Sequence, residues 1–166
     1  ARAETRSVIL LVADGMGPGQ VKAASIALRG ADGGLVMQGL PGRGAAATHS
    51  ASDGVTDPAA AATALATGRK TNNGVLSISA GGTPLKTILE ACRDAGKATG
   101  LVSDSRITRP TTAGFAVHAD EGGVEYDVAG RLVAAKVDVV LGGGRDAFMA
   151  PKGEAYAGVN DKLAAR

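Results

Sequence analysis

Apolar stretches separated by glycine-marked breaks run along the chain, and their patterns predict strands and helices in turn. Residues 7–13 (SVILLVA) form a continuous apolar run rich in β-branched residues, the pattern of a strand buried on both faces of a parallel sheet. The run ends at Asp14, and the turn Gly15-Met16-Gly17-Pro18-Gly19 leads into a predicted helix over 20–29 before the breaker at 30–34. A second helix is predicted over 58–66, with Asp57 as N-cap, Pro58 at the first helical position and Gly68 just past the end. Thr83-Pro84 repeats this signature ahead of a predicted helix over 85–95, where Ile88, Leu89, Ala91 and Cys92 share a face and Gly96 closes it. Residues 98–102 read as a strand, 124–135 as a helix and 137–141 (VDVVL) as a strand ending in Gly142-Gly143-Gly144. Residues 151–166 are polar and weakly patterned. Strands alternating with helices predict parallel βαβ units, with functional groups at the carboxyl ends of the strands.

Composition narrows the function classes. The chain has 166 residues, enough for one α/β domain or part of a larger one, and no internal repeat or linker divides it. Aromatic residues are only 2%, so the core must be built from alanine, valine, leucine and isoleucine. With 18 basic and 16 acidic residues the net charge is +2, and no dense basic block marks a nucleic-acid partner. No apolar run approaches the roughly 18 residues that a membrane span needs. Cys92 is the single cysteine, which excludes an internal disulfide and a CxxC site and reads best as a small buried hydrophobe on a helix. The first residues carry no signal-peptide pattern, which fits either a cytoplasmic protein or a processed exported one.

Asp14 follows a predicted strand inside a glycine turn, where a carboxylate can hold a divalent ion or simply cap the next helix. The helix start at Asp57 aims N–H groups and a positive dipole end at whatever precedes it, which suits an anion such as phosphate, although a plain Asp-Pro start has the same sequence. Arg106 and Arg109, within Ser105-Arg106-Ile107-Thr108-Arg109-Pro110-Thr111-Thr112, could meet a phosphate or a metal-water shell, or remain solvated. His49 and His118 are too few and too far apart for a histidine metal cluster and read as structural.

In order along the chain, these points resemble the alkaline phosphatases. The resemblance runs through Val12-Ala13-Asp14-Gly15-Met16-Gly17, then Val55-Thr56-Asp57, Ala59-Ala60, Thr67-Gly68, Lys70-Thr71 and Asn73-Gly74. It continues through Thr87-Ile88-Leu89-Glu90, residues 95–100 (AGKATG), Arg106-Ile107-Thr108, Ala113-Gly114-Phe115, His118 and residues 138–145 (DVVLGGGR), spanning about residues 7–149. The resemblance implies a three-layer α/β fold with a mainly parallel central sheet and helices on both faces. Residues 1–166 would be the N-terminal portion of one such domain, about its first third and therefore incomplete. It implies phosphate-monoester hydrolysis with zinc and magnesium, with Asp14 and Thr111 as metal ligands. The implied partners are a phosphate monoester or inorganic phosphate and a second copy in a homodimer, without nucleic acid or membrane, and the implied location is periplasmic or secreted.

The chain departs from the family pattern at three positions. Pro58 stands where the family carries its nucleophilic serine, and its ring offers neither hydroxyl nor N–H. Arg109 stands where an Asp or His is usual near magnesium, and Gly122 aligns with the arginine that clamps phosphate. The remaining metal ligands belong to the family's later part. Two readings follow: a hydrolase represented by a chain inactive alone, or an inactive relative serving as a binding or structural protein.

Overall fold

The structure is a computed structural model that describes residues 7–120 and 125–149. The expected start of the fourth helix at Val124 and the segment 151–166, like Gly122, lie outside the described residues. Two compact units divide between Ala46 and Ala47.

In the first unit, residues 7–13 belong to no strand, and Ile9 and Leu11 are 83% and 89% exposed. The expectation of a strand buried on both faces is therefore corrected. A strand is buried only by paired neighbours and covering layers; among its described residues the first unit offers one helix and one 3₁₀ turn, and no second strand. The Asp14 turn does form. The Met16 N–H donates to the Ala13 carbonyl at 3.4 Å, and Gly15, third in the turn, takes φ 69, which a side chain would resist. Helix α1, Pro18–Arg29, then starts with Pro18 in its first turn and stops at Gly30 in the left-handed conformation, two residues longer at its start than expected. Ser25 ties the following glycine loop to it, donating to the Ala31 carbonyl at 2.7 Å and accepting from the Gly34 N–H at 2.9 Å.

The second unit holds the sheet and the core. Helix α2, Pro58–Thr67, runs between the expected Asp57 cap and Gly68 stop, and its alanines supply both helix propensity and small buried surfaces. Helix α3, Ile88–Asp94, begins later than expected. Its cap is Thr87, whose hydroxyl accepts the Glu90 N–H at 3.1 Å while the Glu90 carboxylate accepts the Thr87 N–H at 2.9 Å. The Thr83-Pro84 signature belongs instead to a hairpin: Pro84 bridges Ile78 in antiparallel fashion and the Leu85 N–H donates to Ser77 at 2.8 Å, so this backbone is extended. On α3 only Leu89 is buried, while Ile88 and Ala91 are exposed and Cys92 is half-buried rather than buried.

Strands β1, Gly100–Arg106, and β2, Val139–Gly143, pair in parallel, with Gly100 opposite Val139 and Val102 opposite Leu141. Helices α4, Pro110–Ala113, and α5, Glu125–Ala134, lie in the crossover, which is the expected βαβ unit. Both strands start two residues later than the apolar runs predict. Asp138 accepts from the Thr99 N–H at 2.7 Å and from its hydroxyl at 3.2 Å, so the residues before the ladder are taken by a side-chain lock. Leu76, Leu89, Leu101, Ile107, Val117, Val128, Leu132 and Val137, with the aromatic Phe115, make the core. The outer positions Val102 and Leu141 stay 71% and 58% exposed, as expected where the described residues pair only two strands.

Candidate functional site

The start of α2 is braced from both sides. Asp57 Oδ1 accepts the Ala60 N–H at 2.8 Å and Oδ2 accepts the Gly74 N–H at 2.8 Å. The Asp57 N–H donates to Asn73 Oδ1 at 3.1 Å, and the Asn73 amide reaches the Val55 carbonyl at 3.0 Å. Both carboxylate oxygens thus fix the first turn onto the Asn73-Gly74 turn, and Pro58 stands exposed at the tip. The sequence shows the cap; the brace to Gly74, 17 residues away, leaves only the Asn-Gly turn signal.

Arg106, half-buried, is engaged by two carboxylates. At the end of β1 its Nη1 and Nη2 meet the Asp146 carboxylate at 2.9 and 2.7 Å, and its Nε donates to Glu125, which also accepts from the Thr108 hydroxyl. The paired Asp146 and Glu125 carboxylates push the Arg106 guanidinium further into its charged form. The Arg106 hydrogen bond holds Glu125, helped by Thr108, below the usual carboxylate range, and does the same to Asp146. Because these folded values are lowered, the clasp contributes stability above the ordinary carboxylate range and loses it as pH falls through the lowered values. Asp146 is 69% exposed, so salt screens the contribution. In an acid titration followed by carboxyl-carbon NMR, Glu125 and Asp146 should both protonate below the usual range and return to it in Arg106→Gln; unchanged midpoints would show that the clasp does not form.

Arg109 is exposed at the N-cap of α4, and Thr111 is half-buried in the first turn of that helix. The α2 helix packs on α4, so the Asp57 start and Thr111 belong to one rigid pair. Thr111 follows β1 as expected of a strand's carboxyl end, whereas among the described residues no strand precedes Asp57. Asp14 is an exposed carboxylate in the first unit. Zinc and magnesium, implied by the resemblance, need a donor cluster. Among the described residues no three His, Cys, Asp or Glu side chains gather to hold a metal ion.

His118 takes more partners than its sequence context suggests. Its Nδ1 lies 2.7 Å from the Ser77 carbonyl oxygen and its Nε2 lies 2.9 Å from Glu90 Oε1. Burial pushes the Glu90 carboxyl up, but the His118 hydrogen bond, the Thr87 N–H and the charges of His118 and Arg93 bring it below the usual range. Ser77 itself is fully buried at φ 48, donates its N–H to Thr63 at 2.8 Å and its hydroxyl to the Gly114 carbonyl. This junction links α2, α3 and the segment after α4, across separations that no sequence spacing announces. His49 contributes its backbone carbonyl, which accepts from Lys70 together with that of Ala47.

Comparison with known proteins shows the family. A family model described as alkaline phosphatase matches residues 5–162. The streptomycin-6-phosphate phosphatase of Streptomyces griseus is 39% identical, over 88% of this chain and 38% of its own length. Alkaline phosphatase 3 of Bacillus subtilis is 36% identical over 87% of this chain and 34% of its own. The cold-active alkaline phosphatase of Shewanella sp. superposes with a TM-score of 0.78 at 31% identity, over 93% of this chain and 38% of that one. A TAB5 alkaline phosphatase mutant structure, described with Mg bound in its M3 site, superposes with a TM-score of 0.65 at 33% identity, over 71% of this chain and 34% of that one. The chain thus spans little more than a third of the relatives it matches. By family model, sequence and fold, the chain belongs to the alkaline phosphatase family.

Proposed function

We propose that this chain is a phosphate-binding portion of a phosphate-monoester hydrolase whose own residues do not complete the reaction. The observation that carries this reading is the braced start of α2. A ten-residue helix held at its tip by Asp57, Asn73 and Gly74 has a fixed first turn, in which Asp57 takes the Ala60 N–H and the Ala59 N–H beside it is the donor proposed to meet an anion. Arg109, exposed at the start of the helix packed against it, is the cation best placed to approach a phosphoryl oxygen, since Arg106 is held by Asp146 and Glu125. Pro58 occupies the proposed nucleophile position and has no hydroxyl, so no phosphoryl group is transferred to it.

Asp14 and Thr111 are each proposed as a metal ligand, with zinc and magnesium as the ions the family leads one to expect. When bound, such ions neutralise phosphoryl charge and lower the pKa of a hydroxyl or water. A substrate phosphate monoester, a homodimeric state and an exported, periplasmic or secreted location are proposed on the same footing. No helix among the described residues is long and apolar enough to cross a membrane. The second reading, a relative that binds without turnover, is favoured by the same Pro58.

Turnover and binding separate the outcomes. With added Zn²⁺ and Mg²⁺, hydrolysis of an activated aryl phosphate should stay at background for the chain and for Pro58→Ser, because a hydroxyl without a completed metal site is a weak nucleophile. Inorganic phosphate should still perturb the amide signals of Ala59 to Ala61 and Arg109. Metal-dependent turnover that disappears in Asp14→Ala would overturn the claim of incompleteness, and silence at those amides would overturn the phosphate site.

A further inference from the structure

We propose that His118 and Glu90 form a proton-holding clasp that fastens helix α3 to Ser77, and that loss of the shared proton opens it. The hydrogen positions follow from the partners. The Ser77 carbonyl can only accept, and its oxygen lies 2.7 Å from Nδ1, so Nδ1 carries a hydrogen. In a neutral ring Nε2 would then present a bare lone pair to the Glu90 carboxylate at 2.9 Å, an arrangement that repels. A second hydrogen therefore lies between Nε2 and Oε1. Whichever atom holds it, the pair carries one proton more than a neutral histidine beside an ionised glutamate.

The surroundings favour that proton without isolating it. His118 and Glu90 side chains are 25% and 19% exposed, which shelters their contact from water. From α3, Glu90 faces the ring directly, while Arg93 sends its guanidinium to the Ala135 carbonyl at 2.7 Å. From α5, Arg131 donates to the carbonyl of His118 itself at 2.9 Å. Asp120 is exposed two residues further on, and Lys86 pairs with Asp94 at 2.6 Å across α3. The two arginines oppose a positive ring, but of these charged groups the Glu90 carboxylate is the one in contact with a ring nitrogen. The other Glu90 oxygen accepts the Thr87 N–H that starts α3, so the clasp and the helix cap share one side chain. Losing the shared proton sets lone pair against carboxylate and loosens the start of α3 from Ser77, and with it the junction to α2 and the segment after α4.

Glu90→Gln separates the proton from the geometry. Its amide nitrogen can donate to a bare Nε2 and its amide oxygen can keep the Thr87 N–H, so the same contacts survive with a neutral ring. Nitrogen NMR of the full chain should show hydrogens on both His118 ring nitrogens in the unaltered protein and on Nδ1 alone in Glu90→Gln. In thermal unfolding followed as pH is raised, the unaltered protein should lose more of its melting temperature than the variant does. A bare Nε2 in the unaltered protein, or parallel losses in the two proteins, would overturn the proposal. If Glu90→Gln does not fold, the nitrogen spectrum of the unaltered chain decides alone.

Discussion

Thr63→Val is expected to destabilise the second unit by about 2–4 kcal/mol, although it keeps the size and branching of the side chain. Thr63 is fully buried in α2. Its hydroxyl donates to the Val75 carbonyl at 3.0 Å and accepts the Ser77 N–H at 2.8 Å. Valine leaves both backbone groups buried and unpaired, at about 1–3 kcal/mol each before relaxation. Ser77 has no second route to satisfaction, because its hydroxyl already donates to Gly114 and its carbonyl accepts from Leu85 and His118. It is also a non-glycine residue at φ 48, a conformation kept only while its bonds hold it. Thr63→Ser keeps the hydroxyl and removes one methyl group, so it should lose only about 1 kcal/mol. Urea unfolding of the two variants distinguishes the contributions. A loss in Thr63→Val no larger than that in Thr63→Ser would mean that the buried hydroxyl contributes no more than the methyl group at this position.

This junction also shows where sequence reading stops. The Asp57 cap, the Pro58 start and the Gly68 stop are local signals, readable because the residues that cause the helix lie within it. Thr87-x-x-Glu90 is an equally local capping box, yet Thr83-Pro84 carries a competing signature a few residues earlier. The competition is settled by the bond from Leu85 to Ser77, a tertiary fact. The strands are displaced by two residues for a similar reason, since the partner that takes Thr99 is Asp138. Apolar patterning reports that residues 7–13 favour burial, but not what covers them, and within the described first unit nothing pairs with them.

The candidate site divides along the same line. Residue types and motif order were enough to reach the family, and they pointed to Asp14, Arg106, Arg109 and Thr111. Which arginine is committed elsewhere was not legible, because the Asp146 carboxylate that takes Arg106 is 40 residues away. Two guanidinium groups three positions apart look equivalent in a sequence. In the fold one is a clasp and the other is exposed.

Gly114→Ala is expected to cost about 2–4 kcal/mol, and the reason is contact rather than backbone conformation. Gly114 sits at φ −60 and ψ −13, which any residue adopts, so an alanine there would meet no torsional penalty. A Cβ at this position would instead lie 2.8 Å from the Ala62 Cβ and 3.2 Å from the Pro110 carbonyl oxygen. Neither atom is the end of a flexible side chain: Ala62 is 1% exposed in the middle of α2, and Pro110 opens α4. The two helices would have to separate, and they are the ones that carry the Asp57 start and Thr111. Ala62→Gly removes the closest obstacle at about 1 kcal/mol of helix propensity. In the double variant the combined loss should therefore fall short of the sum by about 1–2 kcal/mol, a coupling that chemical denaturation can measure. Strict additivity would place the obstacle elsewhere, at the Pro110 carbonyl. Where coupling is found, phosphate titration adds a second reading: Gly114→Ala should weaken the amide responses at the start of α2, and Ala62→Gly should restore them by letting α4 return to its seat.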